Sequence, residues 1–184
     1  MTKAELRKQV LEVRKSMTLK EHDELSKIVF DKVVALPEFE QSRNLFIFIA
    51  YNNEVETKLL IKYALATGKT VCVPCLKEGN HMIAVEIRSW DGLKKNKYGI
   101  LEPVDETNET SKAAIDTAVI PGSVFDEKRN RIGYGKGCYD KFLKNTKIKK
   151  IALAFDFQVL DKVPSDCDDV KMDMIVTPTR IIGK

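Results

Sequence analysis

Two capping signals near the amino terminus, each followed by periodic apolar residues, predict two helices. Thr2 with Glu5 and Thr18 with Glu21 have capping-box spacing, so a helix is expected to begin at each pair. The apolar residues of the first helix fall on one face, which is formed by Leu6, Val10, Val13 and Met17. Its cations Lys3, Arg7 and Arg14 fall largely elsewhere, and the second helix is expected to end near Pro37.

Short apolar runs along the rest of the chain predict buried strands. These runs occupy residues 45–50, 70–74, 82–87, 116–122, 150–155 and 173–177. Further helices are predicted over residues 56–68, closed by Gly68, and over about 138–146. Such alternation of strands and helices is typical of an α/β fold, here a three-layer, Rossmann-like sandwich with a largely parallel central sheet. No repeat or linker divides the sequence, so residues 1–184 are interpreted as one domain.

Composition and charge indicate which classes of partner, namely membranes, nucleic acids or small anions, suit this protein. The sequence is 43% hydrophobic and 32% charged, which is ordinary for a globular protein. No apolar run approaches the length of a membrane span, and the opening "MTKAELRKQV" lacks the apolar core of a signal peptide. We therefore expect a cytoplasmic protein with no membrane partner. The net charge of +4 suits an anionic ligand, and no aromatic-basic pattern accompanies it that would indicate nucleic acid.

The four cysteines are interpreted as reduced thiols, as expected in the cytosol. Cys72 and Cys75 have the two-residue spacing of redox and zinc motifs. A redox pair requires a helix directly after it, and no helix pattern follows these two cysteines. A zinc site would need two further ligands, and Cys138 and Cys167 are isolated in the sequence. Cys72 and Cys75 are therefore predicted to be ordinary strand residues.

The stretch "RIGYGKGCYDKFL" (131–143) is the strongest candidate for chemistry. It has glycines at alternate positions, Lys136 among them and Arg131 before them, and a predicted helix follows. Glycines allow a ligand to approach the backbone amides closely, so the loop is a plausible phosphate cradle; the alternative is a tight turn with a solvated lysine. It is not a Walker loop, because Gly137 follows Lys136 where that motif has Ser or Thr. It is not a dinucleotide fingerprint either, because Cys138 replaces the third glycine.

The longer segment "PGSVFDEKRNRIGYGKGCYDKFL" (121–143) resembles the signature of the 5-formyltetrahydrofolate cyclo-ligase family, also called methenyltetrahydrofolate synthetase. The likeness extends over nearly the whole chain, through "KAELR" (3–7), "YNNEVET" (51–57) and "VKMDMIVT" (170–177). The resemblance implies ATP-driven closure of 5-formyltetrahydrofolate to 5,10-methenyltetrahydrofolate, with release of ADP and phosphate and a requirement for Mg²⁺. It also implies an α/β sandwich fold.

The resemblance assigns roles to matching positions of this sequence. Lys136 and Tyr139 would be catalytic, and Asp140 and Asp173 would hold Mg²⁺. The residues that would bind ATP are Lys3, Arg7, Arg131, Ile132, Gly133, Tyr134, Gly135, Lys136, Gly137, Cys138 and Tyr139. The residues that would bind the folate are Ile49, Glu54, Tyr134, Gly135, Lys136, Gly137 and Cys138.

The sequence departs from the family pattern at three positions. Cys138 replaces the first tyrosine of a Tyr-Tyr pair, Arg129 replaces a glycine and suggests a different turn, and Cys75 replaces an arginine. These departures keep open the alternative of a family-shaped module that binds nucleotide or folate without turnover. The expected partner is a small reduced folate, with or without a polyglutamate tail, and the expected state is a monomer. The lysines beside the loop could attract such a tail, but they are interpreted as a solvated helix end.

Overall fold

The computed structural model describes residues 1–97 and 99–183, and in it both predicted amino-terminal helices begin at their capping boxes. The Thr2 hydroxyl accepts the Glu5 N–H, and the Glu5 carboxylate accepts the Thr2 N–H in return. The described helices are α1 (Lys3–Ser16), α2 (Leu19–Val34), α3 (Pro37–Glu40), α4 (Lys58–Ala66) and α5 (Cys138–Leu143). Gly68 has a φ of +77° directly after α4, as predicted for a helix-closing glycine.

All the predicted strands are present, and shorter ones lie between them. The described strands are β1 (Asn44–Ile47), β2 (Thr70–Lys77), β3 (His81–Ile87), β4 (Leu93–Lys95), β5 (Leu101–Pro103), β6 (Glu109–Thr110), β7 (Thr117–Ile120), β8 (Val124–Asp126), β9 (Arg131–Ile132), β10 (Lys149–Leu153), β11 (Val159–Leu160), β12 (Met174–Val176) and β13 (Ile181–Ile182).

The main sheet has the order β13-β12-β10-β7-β1-β2-β3-β6. Its five central strands, β12 to β2, are all parallel, whereas β13, β3 and β6 add antiparallel edges. The prediction of a largely parallel sheet is confirmed. The carboxyl ends of the parallel strands therefore share one edge of the sheet, which is where open α/β sheets bind ligands.

Helices cover both faces of the sheet, which confirms the three-layer α/β architecture. In β1, Leu45 and Ile47 face the layer of α2 and α4, whereas Phe46 faces α5 and stacks on Phe142 at 4.6 Å between ring centroids. Successive strand residues point to opposite faces, so a strand buried on both faces reads as a continuous apolar run. None of the described helices combines the length and apolarity that a membrane crossing requires.

α1 packs against a smaller sheet of order β11-β8-β9, and this packing corrects part of the predicted helix face. Leu6 and Val10 are buried there as predicted, but Val13 is 47% exposed and Arg14 is only 1% exposed. Arg14 follows Val10 by four residues and therefore lies on the buried stripe, whereas Val13 lies at its margin. The cations of α1 are thus not all on a solvated face.

Candidate active site

The glycine loop lies at the carboxyl edge of the sheet, but a β-hairpin separates it from the strand predicted to lead into it. After β7 the chain forms the antiparallel pair β8 and β9, and the loop of residues 133–137 follows β9 and leads into α5. Gly135 has a φ of +99° and Gly137 a φ of +64°, a backbone region that disfavours side chains. The glycines at these two positions therefore set the path of the loop.

Arg131 supports the loop from beneath. Its side chain is 2% exposed; Nη2 donates to Asp140 Oδ2 at 2.9 Å and Nη1 to the Pro121 carbonyl at 3.4 Å. A Cβ on Gly133 would lie 2.7 Å from Arg131 Nη1. Gly133 is therefore needed for close approach to a buried guanidinium.

Lys136 stands at the exposed tip of the loop. Its side chain forms no hydrogen bond or ion pair with any described residue. Arg7 reaches the same loop from α1, where its Nε donates to the Gly133 carbonyl oxygen at 2.7 Å. The loop thus presents one unpaired cation and is held by a second.

Lys3, which the resemblance assigns to ATP, has carboxylate partners. Its Nζ lies 2.6 Å from Asp166 Oδ2 and 2.5 Å from Asp169 Oδ2. Burial lowers the pKa of Lys3, but the two carboxylates raise it by more, so its pKa is above the ordinary value. A phosphate would have to compete with both carboxylates for this ammonium group.

The two aspartates assigned to Mg²⁺ have separate partners. Asp140 accepts from Arg131 and, through Oδ1, from the Val170 N–H at 3.1 Å. Asp173 Oδ2 accepts the Lys150 N–H at 2.7 Å, directly before β12 and therefore at the amino edge of the sheet. Within the described part of the chain, no three His, Cys, Asp or Glu side chains come together to hold a metal ion. Asp140 is at the loop, and Asp173 is not.

Glu54, the predicted folate carboxylate, is 6% exposed beside the loop. Its Oε1 accepts from the Tyr134 hydroxyl at 2.6 Å, and its Oε2 accepts the Tyr51 N–H at 3.0 Å. Burial raises the pKa of Glu54, while the hydrogen bonds and the positive charge of Arg14 act against that rise. A buried carboxylate therefore lies next to the proposed phosphate cradle.

Sequence reasoning missed Arg14 and His22. Arg14 Nη2 donates to the Tyr134 hydroxyl at 2.7 Å. His22 Nε2 lies 2.7 Å from the Glu54 carbonyl oxygen, so α2 fixes the backbone of that residue. The four-residue spacing from Val10 was a usable signal for the burial of Arg14, whereas nothing in the sequence pointed from His22 to Glu54.

The remaining site residues lie around this centre. Tyr139 packs edge-on against Phe46 at 6.4 Å, and the Arg131 guanidinium carbon lies 5.5 Å from its ring centroid. Burial raises the pKa of the Tyr139 hydroxyl above its ordinary value. Ile49, Ile132 and Cys138 are all buried in apolar clusters.

The departures from the family pattern have structural explanations. Cys138 is the first residue of α5 and is buried in the apolar cluster that contains Phe46 and Phe142. Arg129 has a φ of +65°, the left-handed region that glycine adopts more readily, so an arginine occupies a backbone conformation that suits glycine; whether the turn differs from that of the family stays a prediction. Cys75 is buried on β2, which confirms the prediction of a strand residue, and burial raises its pKa to about 11.

Comparison with known proteins gives one consistent result. Residues 1–178 match the model of the 5-formyltetrahydrofolate cyclo-ligase family. A probable 5-formyltetrahydrofolate cyclo-ligase of Schizosaccharomyces pombe is 31% identical, covering 87% of both chains, and the mouse cyclo-ligase is 30% identical, covering 93% of this chain and 91% of its own. The solved 5,10-methenyltetrahydrofolate synthetase of Aquifex aeolicus is 33% identical, with a TM-score of 0.88 over 99% of this chain and 92% of that one.

Proposed function

The chain belongs to the 5-formyltetrahydrofolate cyclo-ligase family, and on this premise we propose that it converts 5-formyltetrahydrofolate to 5,10-methenyltetrahydrofolate with ATP as phosphoryl donor. The observation that carries the proposal is the contact between two half-sites. Tyr134, in the glycine loop that presents Lys136, donates a hydrogen bond to the buried Glu54 at 2.6 Å. A phosphate-binding element and a carboxylate suited to a pterin therefore meet at one edge of the sheet.

The reaction needs activation because a formamide carbon is a weak electrophile. Transfer of the γ-phosphoryl group breaks its bond to ADP and forms a bond to the formyl oxygen. The neighbouring folate nitrogen then attacks the formyl carbon, the carbon–oxygen bond breaks, phosphate leaves, and the nitrogen loses its proton to solvent. For the first step the protein must chiefly position the groups and neutralise charge.

The cations supply that neutralisation. We propose that Lys136 contacts the transferred phosphoryl group, because its ammonium is unpaired at the loop tip. Arg7 would bind a neighbouring phosphate through the nitrogens that do not hold Gly133. One ion pair at 4 Å contributes about 4 kcal/mol at an effective dielectric constant of 20, before desolvation. Lys3 would join them once Asp166 and Asp169 release it.

The folate would bind on the Glu54 side of the loop. An ionised carboxylate accepts hydrogen bonds from the amino and ring N–H groups of a pterin. Ile49 lies two residues after the end of β1 and would contribute an apolar contact, and Tyr139 would face the formyl group or the flat ring. Ile132 and Cys138 are buried, so they would contribute main-chain groups to the site.

Mg²⁺ is proposed as the counter-ion that ATP brings to the site. The described residues do not form a complete metal site, so Mg²⁺ would be bound mainly by phosphate oxygens and water, with Asp140 as the carboxylate at the loop. There the ion would neutralise phosphate charge. The role of Asp173 stays a prediction that its position at the amino edge of the sheet does not support.

We further propose a monomeric cytoplasmic enzyme that acts on a reduced folate, with or without a polyglutamate tail. The net charge of +4 supports an anionic small molecule rather than nucleic acid as its partner. The free thiols of Cys72, Cys75, Cys138 and Cys167 fit a reducing compartment.

The deciding experiment follows the absorbance of methenyltetrahydrofolate with 5-formyltetrahydrofolate, ATP and Mg²⁺ present. We expect product to form only when all three are supplied, with one ADP released for each product molecule. A flat trace from protein that binds ATP would refute the proposed turnover and favour a non-catalytic binding module.

A further inference from the structure

A buried arginine stands behind the proposed folate carboxylate. Arg14 on α1 is 1% exposed, and its Nη2 donates to the Tyr134 hydroxyl at 2.7 Å. Its Nε and Nη1 are also buried and have no hydrogen-bond partner among the described residues. A buried charge that is only partly satisfied is costly, and core packing alone does not account for it.

The chemistry of the three groups fixes the direction of the hydrogen bonds. A guanidinium group can only donate, so the Tyr134 hydroxyl accepts from Arg14. The single proton of that hydroxyl is therefore free to be donated to Glu54 Oε1, 2.6 Å away. With Arg14 in place, Tyr134 is held as a donor, and Glu54 is held as an acceptor.

We propose that Arg14 is a positioning residue of the folate site, which acts through the Tyr134 hydroxyl to present Glu54 to the substrate as a carboxylate acceptor. This inference rests on the proposed function, in which Glu54 accepts hydrogen bonds from the pterin. Arg14 itself is not required to touch the folate.

Four groups face Glu54 from the elements packed around it. Arg14 comes from α1 and Tyr134 from the glycine loop. Burial raises the pKa of Tyr139 of α5, and the nearby charge of Glu54 raises it further. His22 of α2 contacts the main-chain carbonyl of Glu54, not its carboxylate. Burial raises the pKa of Glu54, whereas Arg14 and the Tyr134 hydroxyl lower it. Loss of either one therefore raises this pKa further.

The sign of the pH effect follows. The substrate needs the carboxylate form, so folate affinity falls as the pH drops through the pKa of Glu54. Arg14→Leu and Tyr134→Phe should each move the acidic limb of kcat/KM for 5-formyltetrahydrofolate to higher pH. A shift of one pH unit gives about a tenfold loss on the acidic limb. In Arg14→Leu, KM for ATP should stay within about twofold, because Arg14 is not among the groups proposed to bind ATP. An equal loss for both substrates would instead indicate general damage to the site.

Further variants test whether the effect runs through Tyr134. In the Arg14→Leu/Tyr134→Phe double variant, the acidic limb should move by less than the sum of the two single shifts. Both substitutions interrupt the same chain of hydrogen bonds from Arg14 through Tyr134 to Glu54. Arg14→Lys keeps the charge and a donor, so it should restore most of the wild-type profile. Lys15→Leu removes an exposed charge from the next position of α1 and should leave the profile unchanged.

The outcomes separate this inference from the proposed function. Binding of 5-formyltetrahydrofolate to each variant can be measured by calorimetry across pH, without ATP. This measurement follows the titration of Glu54 in the absence of turnover. If the wild type forms no methenyl product, the proposed function fails. An unmoved binding profile in folded Arg14→Leu protein, additive shifts in the double variant, or an equal shift in Lys15→Leu would each overturn the role of Arg14. If Arg14→Leu does not fold, Arg14→Met, which keeps an unbranched side chain without the charge, gives the same decision.

Discussion

The two edges of the central sheet carry similar polar residues in different states. At the amino edge, Asp116 Oδ2 accepts the N–H groups of Arg43 and Asn44, at 2.9 and 2.8 Å. Asp173 Oδ2 likewise accepts the main-chain N–H of Lys150 and forms an ion pair with the Lys150 ammonium group. At the carboxyl edge, buried nitrogens of Arg14 and Arg131 have no partner among the described residues, and the same holds for Arg129 Nε, which lies near Asp173. The unpaired Lys136 lies on the loop beside Arg14 and Arg131.

Under the proposed function, this comparison distinguishes polar groups that stabilise the fold from those that would bind a ligand. A carboxylate that accepts main-chain N–H groups holds neighbouring strand ends together, and it has little remaining capacity to bind a ligand. Groups with free donors next to a glycine loop are available to a substrate, at a cost in stability. On this comparison, substitutions at the carboxyl edge should impair catalysis, whereas those at the amino edge should affect only stability.

The largest expected effect is that of Lys136→Ala. It should remove about 3 kcal/mol of transition-state stabilisation, roughly a hundredfold in kcat/KM for ATP, because the charge that faces the transferred phosphoryl group is lost. Thermal unfolding should not change, because the side chain has no described partner. Lys62→Ala, an exposed lysine on α4, is the matched control and should have full activity. Kinetics of Lys136→Ala within threefold of wild type would contradict its assignment.

Gly133→Ala should have an intermediate effect. Its Cβ would meet Arg131 Nη1 at 2.7 Å, and Arg131 is held in place by Asp140. We expect a destabilisation of about 1–3 kcal/mol, the range for overpacking, together with weaker ATP binding because the loop must shift. Gly92→Ala is the control, because a Cβ there meets no atom within 4 Å and the backbone has no positive φ. Equal melting temperatures for the two variants would show that the contact of residue 133 with Arg131 does not require a glycine.

Asp173→Asn should have the smallest effect. The Lys150 pair is partly exposed, so its loss should lower stability by less than about 1 kcal/mol, and Asn can still accept the Lys150 N–H. The dependence of activity on Mg²⁺ concentration should stay as in the wild type. A higher Mg²⁺ requirement would instead support the metal role that the family resemblance gives to Asp173, and would break the contrast between the two edges.

Local patterns determined most of the elements. The capping boxes at Thr2 and Thr18 fixed the starts of α1 and α2, because a cap depends only on residues three positions apart. The apolar run of β1 marked a strand buried on both faces. The hairpin of β8 and β9 was missed because its strands, Val124–Asp126 and Arg131–Ile132, are too short to show periodicity.

The sequence by itself determined an α/β chain of this family and predicted a phosphate-binding loop at Gly133, Gly135 and Gly137, because backbone freedom and strand periodicity are local properties. Only the tertiary structure decided which charges remain available. It paired Lys3 with Asp166 and Asp169, and it buried Arg14 behind Tyr134 and Glu54. Those pairings join residues 80 to 166 positions apart. The spacing from Val10 indicates that Arg14 is buried, but no local pattern encodes which distant group pairs with which charge.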